Sequence, residues 1–242
     1  MEFYKMLSMY YDDIFKFDEN QISFIKTRIK PNSKVLDLAC GTGSILIGLS
    51  ETCISCTGID LSEDLLDKFR KKINKKTIKN KFKIINDNML NFKNHVFEKL
   101  DAILCIGNSL VHILNKNDLK NLIIDISTSS DMFIFQILNY DRICNLQINS
   151  LPSLSALNNS IIFERKYVFE DNLIKFIGRI TKNDTNLKES FESFVYLRPI
   201  LFNEIDTLLK DAGYKNLNYY GDYLGNVFDI RNSFMLIGVC EK

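Results

Sequence analysis

A chain of 242 residues fits one large domain, or one domain carrying a sizeable insertion. Its 46% apolar and 25% charged residues are those of an ordinary globular protein. The formal net charge of +1, from 31 basic and 30 acidic side chains, excludes a dedicated nucleic-acid binder, whose affinity would come largely from phosphate neutralisation.

The N-terminal MEFYKMLSMYYDDIF lacks the basic-then-apolar order of a signal peptide. No apolar run reaches the roughly 18 to 20 residues that span a bilayer, so a cytoplasmic location without membrane contact is expected. From residue 34 onward, strand-like and helix-like segments alternate. Residues 34–39 read as a strand, 44–51 as a helix and 54–60 as a strand. A helix over 62–75 follows, with Ser62 placed to cap it and Leu65, Leu66, Phe69 and Ile73 on one face. The lysine- and asparagine-rich 70–81 reads as its solvated end. Strands are predicted over 82–86, 100–106 and 132–138, with a helix over 119–126 before the last. This order implies a parallel sheet with helices on both faces.

After Asn139 the pattern changes. Strand-like segments at 161–169, 173–181 and 190–197, the first two joined by Glu170-Asp171-Asn172 and the others by 182–188, predict a small antiparallel sheet. A helix over 201–212, ended by Gly213, and strands over 217–220 and 233–240 complete the core. The expectation is a single domain over 1–242. Its core is 30–140 and 200–242, and an antiparallel insertion over about 141–199 acts as a lid.

Six cysteines read as buried free thiols. Cys53-Ile-Ser-Cys56 has zinc or redox spacing, but no second pair follows and the histidines are His95 and His112. An ordinary strand is the expectation there, with no metal site.

The segment 34–46, KVLDLACGTGSIL, places a glycine turn between strand and helix. A dinucleotide fingerprint from Gly41 needs glycine at 46, where Leu46 stands, and a phosphate-binding loop needs a lysine that is missing. What remains is Asp37 before the turn and Asp60 at the end of the next strand. A carboxylate at 60 matches two adjacent ribose hydroxyls. One at 37 suits a cationic ligand end. An adenosine ligand that is cationic and free of phosphate is S-adenosylmethionine.

VLDLACGTG, GIDLSEDLL and LDAILCIGNSLVHI together resemble the class I S-adenosylmethionine-dependent methyltransferases. The 105–112 segment is similar to that of the glycine N-methyltransferases and related small-molecule N-methyltransferases. The resemblance implies an α/β, Rossmann-like, doubly wound sheet of seven strands, mostly parallel with an antiparallel last strand. It implies S-adenosylmethionine as cofactor and S-adenosylhomocysteine as product. It places Ala39, Cys40, Gly41 and Gly43 along the cofactor's amino-acid moiety, Asp37 at its ammonium, Asp60 at the ribose and Leu61 on the adenine. Asp87 would accept from the adenine amino group, Asn88 and Met89 would cover the ring, Ile106 would touch the methionine part, and Tyr10 or Tyr11 would close over the cofactor. No arginine near the N-terminus matches the family's carboxylate ligand, leaving Thr42, Lys34 or a backbone amide for that contact.

For the acceptor side, the candidates are Asn108, which either orients a substrate amine or caps a helix near Ser109, and His112, either a packed histidine under the cofactor or a base. Tyr140 and Arg142, in the polar Asn139-Tyr140-Asp141-Arg142, are substrate-contact candidates. Arg165, Tyr167, Tyr196 and Arg198 alternate with apolar neighbours, so one face of the inserted sheet is expected over the pocket, its aromatics serving mainly as packing. The expected function is methyl transfer to a small molecule at an amine nitrogen, by a monomer or homodimer. The alternatives are a protein or RNA methyltransferase and a non-catalytic S-adenosylmethionine-binding protein. Base-amino methylation is disfavoured because Cys105-Ile-Gly-Asn108 stands where an Asn/Asp-Pro-Pro-aromatic motif would.

Overall fold

The computed structural model describes residues 2–74, 79–183 and 188–242. Three helices, α1 (Glu2–Ser8), α2 (Tyr11–Ile14) and α3 (Glu19–Lys26), precede the sheet. The alternation then runs β1 (Ser33–Leu38), α4 (Ser44–Leu49), β2 (Cys53–Asp60), α5 (Glu63–Asn74), β3 (Phe82–Asn86), β4 (Ala102–Cys105), α6 (Lys116–Ser129) and β5 (Met132–Leu138). After α7 (Tyr140–Asn145) come β6 (Ser150–Ala156), β7 (Ile161–Glu170), β8 (Leu173–Asn183) and β9 (Lys188–Leu197). The chain closes with α8 (Phe202–Asp211), β10 (Asn216–Tyr220) and β11 (Met235–Glu241). Among the described residues no helix is long and apolar enough to cross a membrane.

The main sheet has seven strands in the order β10-β11-β5-β4-β1-β2-β3. It is parallel from β5 through β3, and β11 runs antiparallel to β5. Strand order reverses between β1 and β4, so a crevice opens beyond their carboxyl ends, where such sheets bind ligands. Period-two alternation divides the core. Leu36 and Leu38 of β1 join Ile103, Phe133 and α6 on one face. Val35 joins Leu104, Ile134, α4 and α5 on the other.

The second sheet, β6-β7-β8-β9, is antiparallel throughout. It has four strands where sequence patterning predicts three. The extra strand, β6, holds Pro152 and is mostly exposed. An edge position tolerates proline's missing N–H, and its weak alternation leaves little signal. A third cluster joins Phe3 and Leu7 of α1 and Ile14 of α2 to Ile161, Phe163 and Ile180 of this sheet. Helices α1 and α2 are thus held by the second sheet's apolar face, whereas Ile22, Phe24 and Ile25 of α3 pack in the main-sheet core. Predicted element ends otherwise fall within a few residues of those observed. The predicted helix end at Lys75, the middle of the 70–81 segment and the 184–187 part of the 182–188 link lie outside the described residues.

Candidate active site

Two adjoining cavities, of about 380 Å³ and 760 Å³, open at the carboxyl end of the sheet. Both touch Tyr4, Tyr11, Ala39, Ile106, Gly107 and His112, so they form one bent space with a waist.

The turn after β1 is the floor of the waist. Ala39, Gly41 and Gly43 have φ of 60°, 55° and 72°, a left-handed conformation costly to a side-chain-bearing residue such as Ala39. The turn therefore bends sharply. A Cβ on Gly43 would lie 2.3 Å from the Phe69 ring, and one on Gly41 would lie 3.4 Å from the Tyr11 hydroxyl. These two glycines shape the turn and lie behind the cavity wall; Ala39, Cys40 and Thr42 line the smaller cavity itself.

Asp60, at the end of β2, lines the larger cavity. Its Oδ2 accepts from Gly41 N at 2.7 Å and its Oδ1 from Ser62 N at 2.8 Å. Each oxygen keeps a further lone pair for a ligand. Burial raises its pKa, with the two amides acting in the opposite sense. Leu61, Asn88 and Met89 line the same cavity.

Asp37 is 1% exposed and lines the smaller cavity. Burial first, then the charge of Asp60, raises its pKa well above the carboxylate range. Among the described residues no donor is paired with its side chain, so this carboxyl is left for something in the cavity.

Over the waist, Tyr4 Oη lies 2.9 Å from His112 Nε2. Burial pulls His112 down to about 4, so the imidazole is neutral at pH 7. Tyr11 is raised by burial, then by Asp60 and Asp12, and stays a neutral phenol. Asp12 beside it accepts from Thr42 Oγ1 at 2.5 Å and from Lys72 Nζ at 2.7 Å, which ties α2 to the glycine turn.

Several expected contacts fall elsewhere. Asp87 lines neither cavity, and its carboxylate takes His95 Nε2 at 2.6 Å, Asn91 Nδ2 at 2.9 Å and Asn88 N at 2.7 Å. The histidine lowers its pKa. Asn108 does line the smaller cavity, but both ends of its amide are engaged. Nδ2 donates to Tyr140 Oη at 3.0 Å and Oδ1 accepts from Leu138 N at 2.9 Å. It clasps β4 to β5 and does not cap a helix. Tyr140 is 1% exposed and sits behind the wall, while Arg142 lines neither cavity. The reason is local: Asn139 caps α7 through Arg142 N at 3.1 Å and Asp141 accepts from Phe202 N at 2.8 Å. The polar run thus fastens chain segments and leaves the cavity to its neighbours. Lys34 is at the opposite end of β1, paired with Glu98.

Sequence patterning overlooks Tyr4 and Gln136, whose Oε1 accepts from Gly107 N at 2.9 Å. Tyr4 was hidden in an aromatic-rich N-terminus with no strand partner to flag it. Arg165 and Tyr167 are the alternating β7 residues that face the cavity. Tyr196 is 37% exposed, and Arg198 is 4% exposed and bound to Glu204 at 2.8 Å.

The seven-stranded sheet with an antiparallel last strand, its switch-point crevice flanked by Asp37 within β1 and Asp60 at the end of β2, is that of a class I methyltransferase fold. Residues 35–129 match the methyltransferase domain family. The chain is 25% identical over 205 residues to a glycine/sarcosine N-methyltransferase from Aphanothece halophytica, covering 83% of this chain and 73% of that protein. It is also 25% identical over 245 residues to a glycine/sarcosine N-methyltransferase from Halorhodospira halochloris, covering 96% and 85%. An S-adenosylmethionine-dependent methyltransferase from Clostridium acetobutylicum superposes with a TM-score of 0.80 at 20% identity, over 98% of both chains. The chain thus carries a methyltransferase domain within the class I fold and is an S-adenosylmethionine-dependent enzyme of that type.

Proposed function

We propose that the enzyme methylates a small molecule at an amine nitrogen. The observation that carries this reading is the pair of acidic groups at successive strand ends, Asp60 with lone pairs to spare and Asp37 buried without a partner. They fit the ribose and the ammonium of one cationic, phosphate-free adenosine ligand. Leu61, Asn88 and Met89 would flank its adenine, Ala39 and Ile106 its methionine part, and Tyr11 would cover it.

When bound, S-adenosylmethionine supplies a sulfonium methyl that an amine lone pair takes by in-line displacement. The residues of this chain bind and orient the reactants and exclude water, which is most of what such a displacement requires. A neutral His112 orients the Tyr4 hydroxyl at the waist between the two cavities. The amine attacks with its lone pair free, so it sheds its proton before entering. The glycine/sarcosine N-methyltransferase relatives support nitrogen as the acceptor atom. The size of the smaller cavity, about 380 Å³, suits a small acceptor better than a polymer.

Isothermal titration is expected to detect both S-adenosylmethionine and S-adenosylhomocysteine. Asp60→Ala should weaken each by about 1–3 kcal/mol, the range for losing hydrogen bonds to a charged group. Unchanged affinity would remove Asp60 from the site.

A further inference from the structure

The head of an α-amino acid carries a carboxylate beside its ammonium, and Asp37 suits the ammonium. The expected receivers of the carboxylate are spent elsewhere. Lys34 sits at the far end of β1 paired with Glu98, and Thr42 Oγ1 donates to Asp12 while accepting from Lys72 Nζ at 2.7 Å. Asn108 is engaged at both ends of its amide, and Gln21 Nε2 donates to Tyr223 Oη at 2.8 Å.

Gln136 differs from all of these. It stands on β5, is 7% exposed and lines the smaller cavity. Its Oε1 accepts from Gly107 N at 2.9 Å, which sets the orientation of the amide. Nε2 is then the free end, and among the described residues nothing accepts from it. A buried amide nitrogen left unpaired is costly, and a ligand oxygen in the cavity removes that cost.

Strand register relates this nitrogen to Asp37. Asp37 pairs with Leu104 of β4, and Leu104 with Ile134 of β5. Gln136 is two residues beyond Ile134, so alternation puts it on the same face of the sheet as Asp37. The two backbones are two strand spacings apart and offset by two residues, a separation of about 12 Å. An amino-acid head with a hydrogen bond at each end spans about 8–9 Å, and the two side chains reach into the cavity from either side of it. Such a head fits with its ammonium toward β1 and its carboxylate toward β5.

We propose that Gln136 receives the carboxylate of the methyl donor, in place of the arginine expected from the family. This rests on the methyltransferase reading above. A neutral amide adds no second buried ion beside Asp37, and the carboxylate's own charge strengthens the bond.

The test is calorimetry on the full chain with three ligands. They are S-adenosylhomocysteine, its decarboxylated analogue S-adenosyl-3-thiopropylamine, and 5′-methylthioadenosine, which lacks the amino-acid head. The parent should bind S-adenosylhomocysteine about 10-fold or more tighter than the decarboxylated analogue. Gln136→Met, close in volume, should weaken S-adenosylhomocysteine by about 10-fold and leave the other two ligands within about twofold. Unchanged 5′-methylthioadenosine affinity also shows that the variant folds. Gln136→Asn, which keeps an amide one methylene short and guards against misfolding of the first variant, should fall between.

Three results overturn the assignment while leaving the methyltransferase site intact. They are a parent that binds S-adenosylhomocysteine and the decarboxylated analogue equally, a Gln136→Met variant that keeps the parent's preference, or one that weakens all three ligands alike. In the second case, loss of the preference in Arg165→Gln would move the carboxylate to the second sheet. Failure of both S-adenosylhomocysteine and 5′-methylthioadenosine to bind the parent would overturn both readings.

Discussion

The two cavities that meet at Ile106, Gly107 and His112 are built by opposite means. The larger is lined chiefly by the short segments that follow β2, β3 and β4, with Asp60 fixed by two backbone amides. The smaller is walled by side chains from distant segments: Phe3 and Tyr4 of α1, Arg165 and Tyr167 of β7, and Phe176 of β8. Backbone geometry tolerates little change, since each turn depends on particular φ angles and close approaches. Side-chain walls exchange residues freely without disturbing the sheet. In the reading proposed above, the Asp60 end would be the fixed one and the end walled by the second sheet the adjustable one.

Three measurements probe the contrast. The largest effect belongs to Gly43→Ala, where positive φ and a Cβ 2.3 Å from Phe69 combine strain with overpacking. A loss of about 3 kcal/mol or more in denaturant titration is expected. Gly107→Ala, with φ of 81° but open space around its Cβ, should lose only about 1–2 kcal/mol. Equal losses would erase the distinction between a turn pressed on the core and one facing the cavity.

Next in size is a proton linkage at Asp37. Burial and Asp60 hold its carboxyl protonated above the ordinary range, and a cationic ligand favours the carboxylate, so binding expels the proton. S-adenosylmethionine should therefore bind tighter as pH rises, by up to about tenfold per pH unit while the free enzyme's Asp37 remains protonated. Asp37→Asn should flatten the profile, and titration in buffers of different ionisation enthalpy counts the protons. A flat profile in the parent would detach Asp37 from the ligand's cation.

The smallest effects separate the wall from what lies behind it. Tyr140→Phe strands Asn108 Nδ2 and should cost about 1 kcal/mol of stability. Arg142→Ala should stay within about 0.5 kcal/mol and leave turnover unchanged. A large loss of turnover from Arg142→Ala would return that segment to the acceptor site.

The same contrast explains what the sequence disclosed. Asp37, the glycine turn and Asp60 are spaced by local backbone rules, so KVLDLACGTG and GID point to an adenosine site before any fold is known. Asp87, Tyr140 and Arg142 sit at strand ends too, but their direction depends on partners such as His95, Asn108 and Phe202 N that only tertiary folding brings near. The face of β7 was equally hidden: alternation separates Arg165 and Tyr167 from their neighbours, yet only the packing of α1 and α2 on that sheet shows which side is roofed. Helices α1 and α2 are not legible in the sequence because they are short and their apolar residues serve the second sheet, with no repeating pattern of their own.

The placement of Tyr11 over Gly41 has a consequence for the donor. The ring occupies the approach to the turn that a bound methionine chain would follow, and α2 is pinned there through Asp12, Thr42 and Lys72. A methyl donor lying along this turn would pack directly beneath the Tyr11 phenol, so the Asp12, Thr42 and Lys72 contacts would set how tightly that ring presses on it.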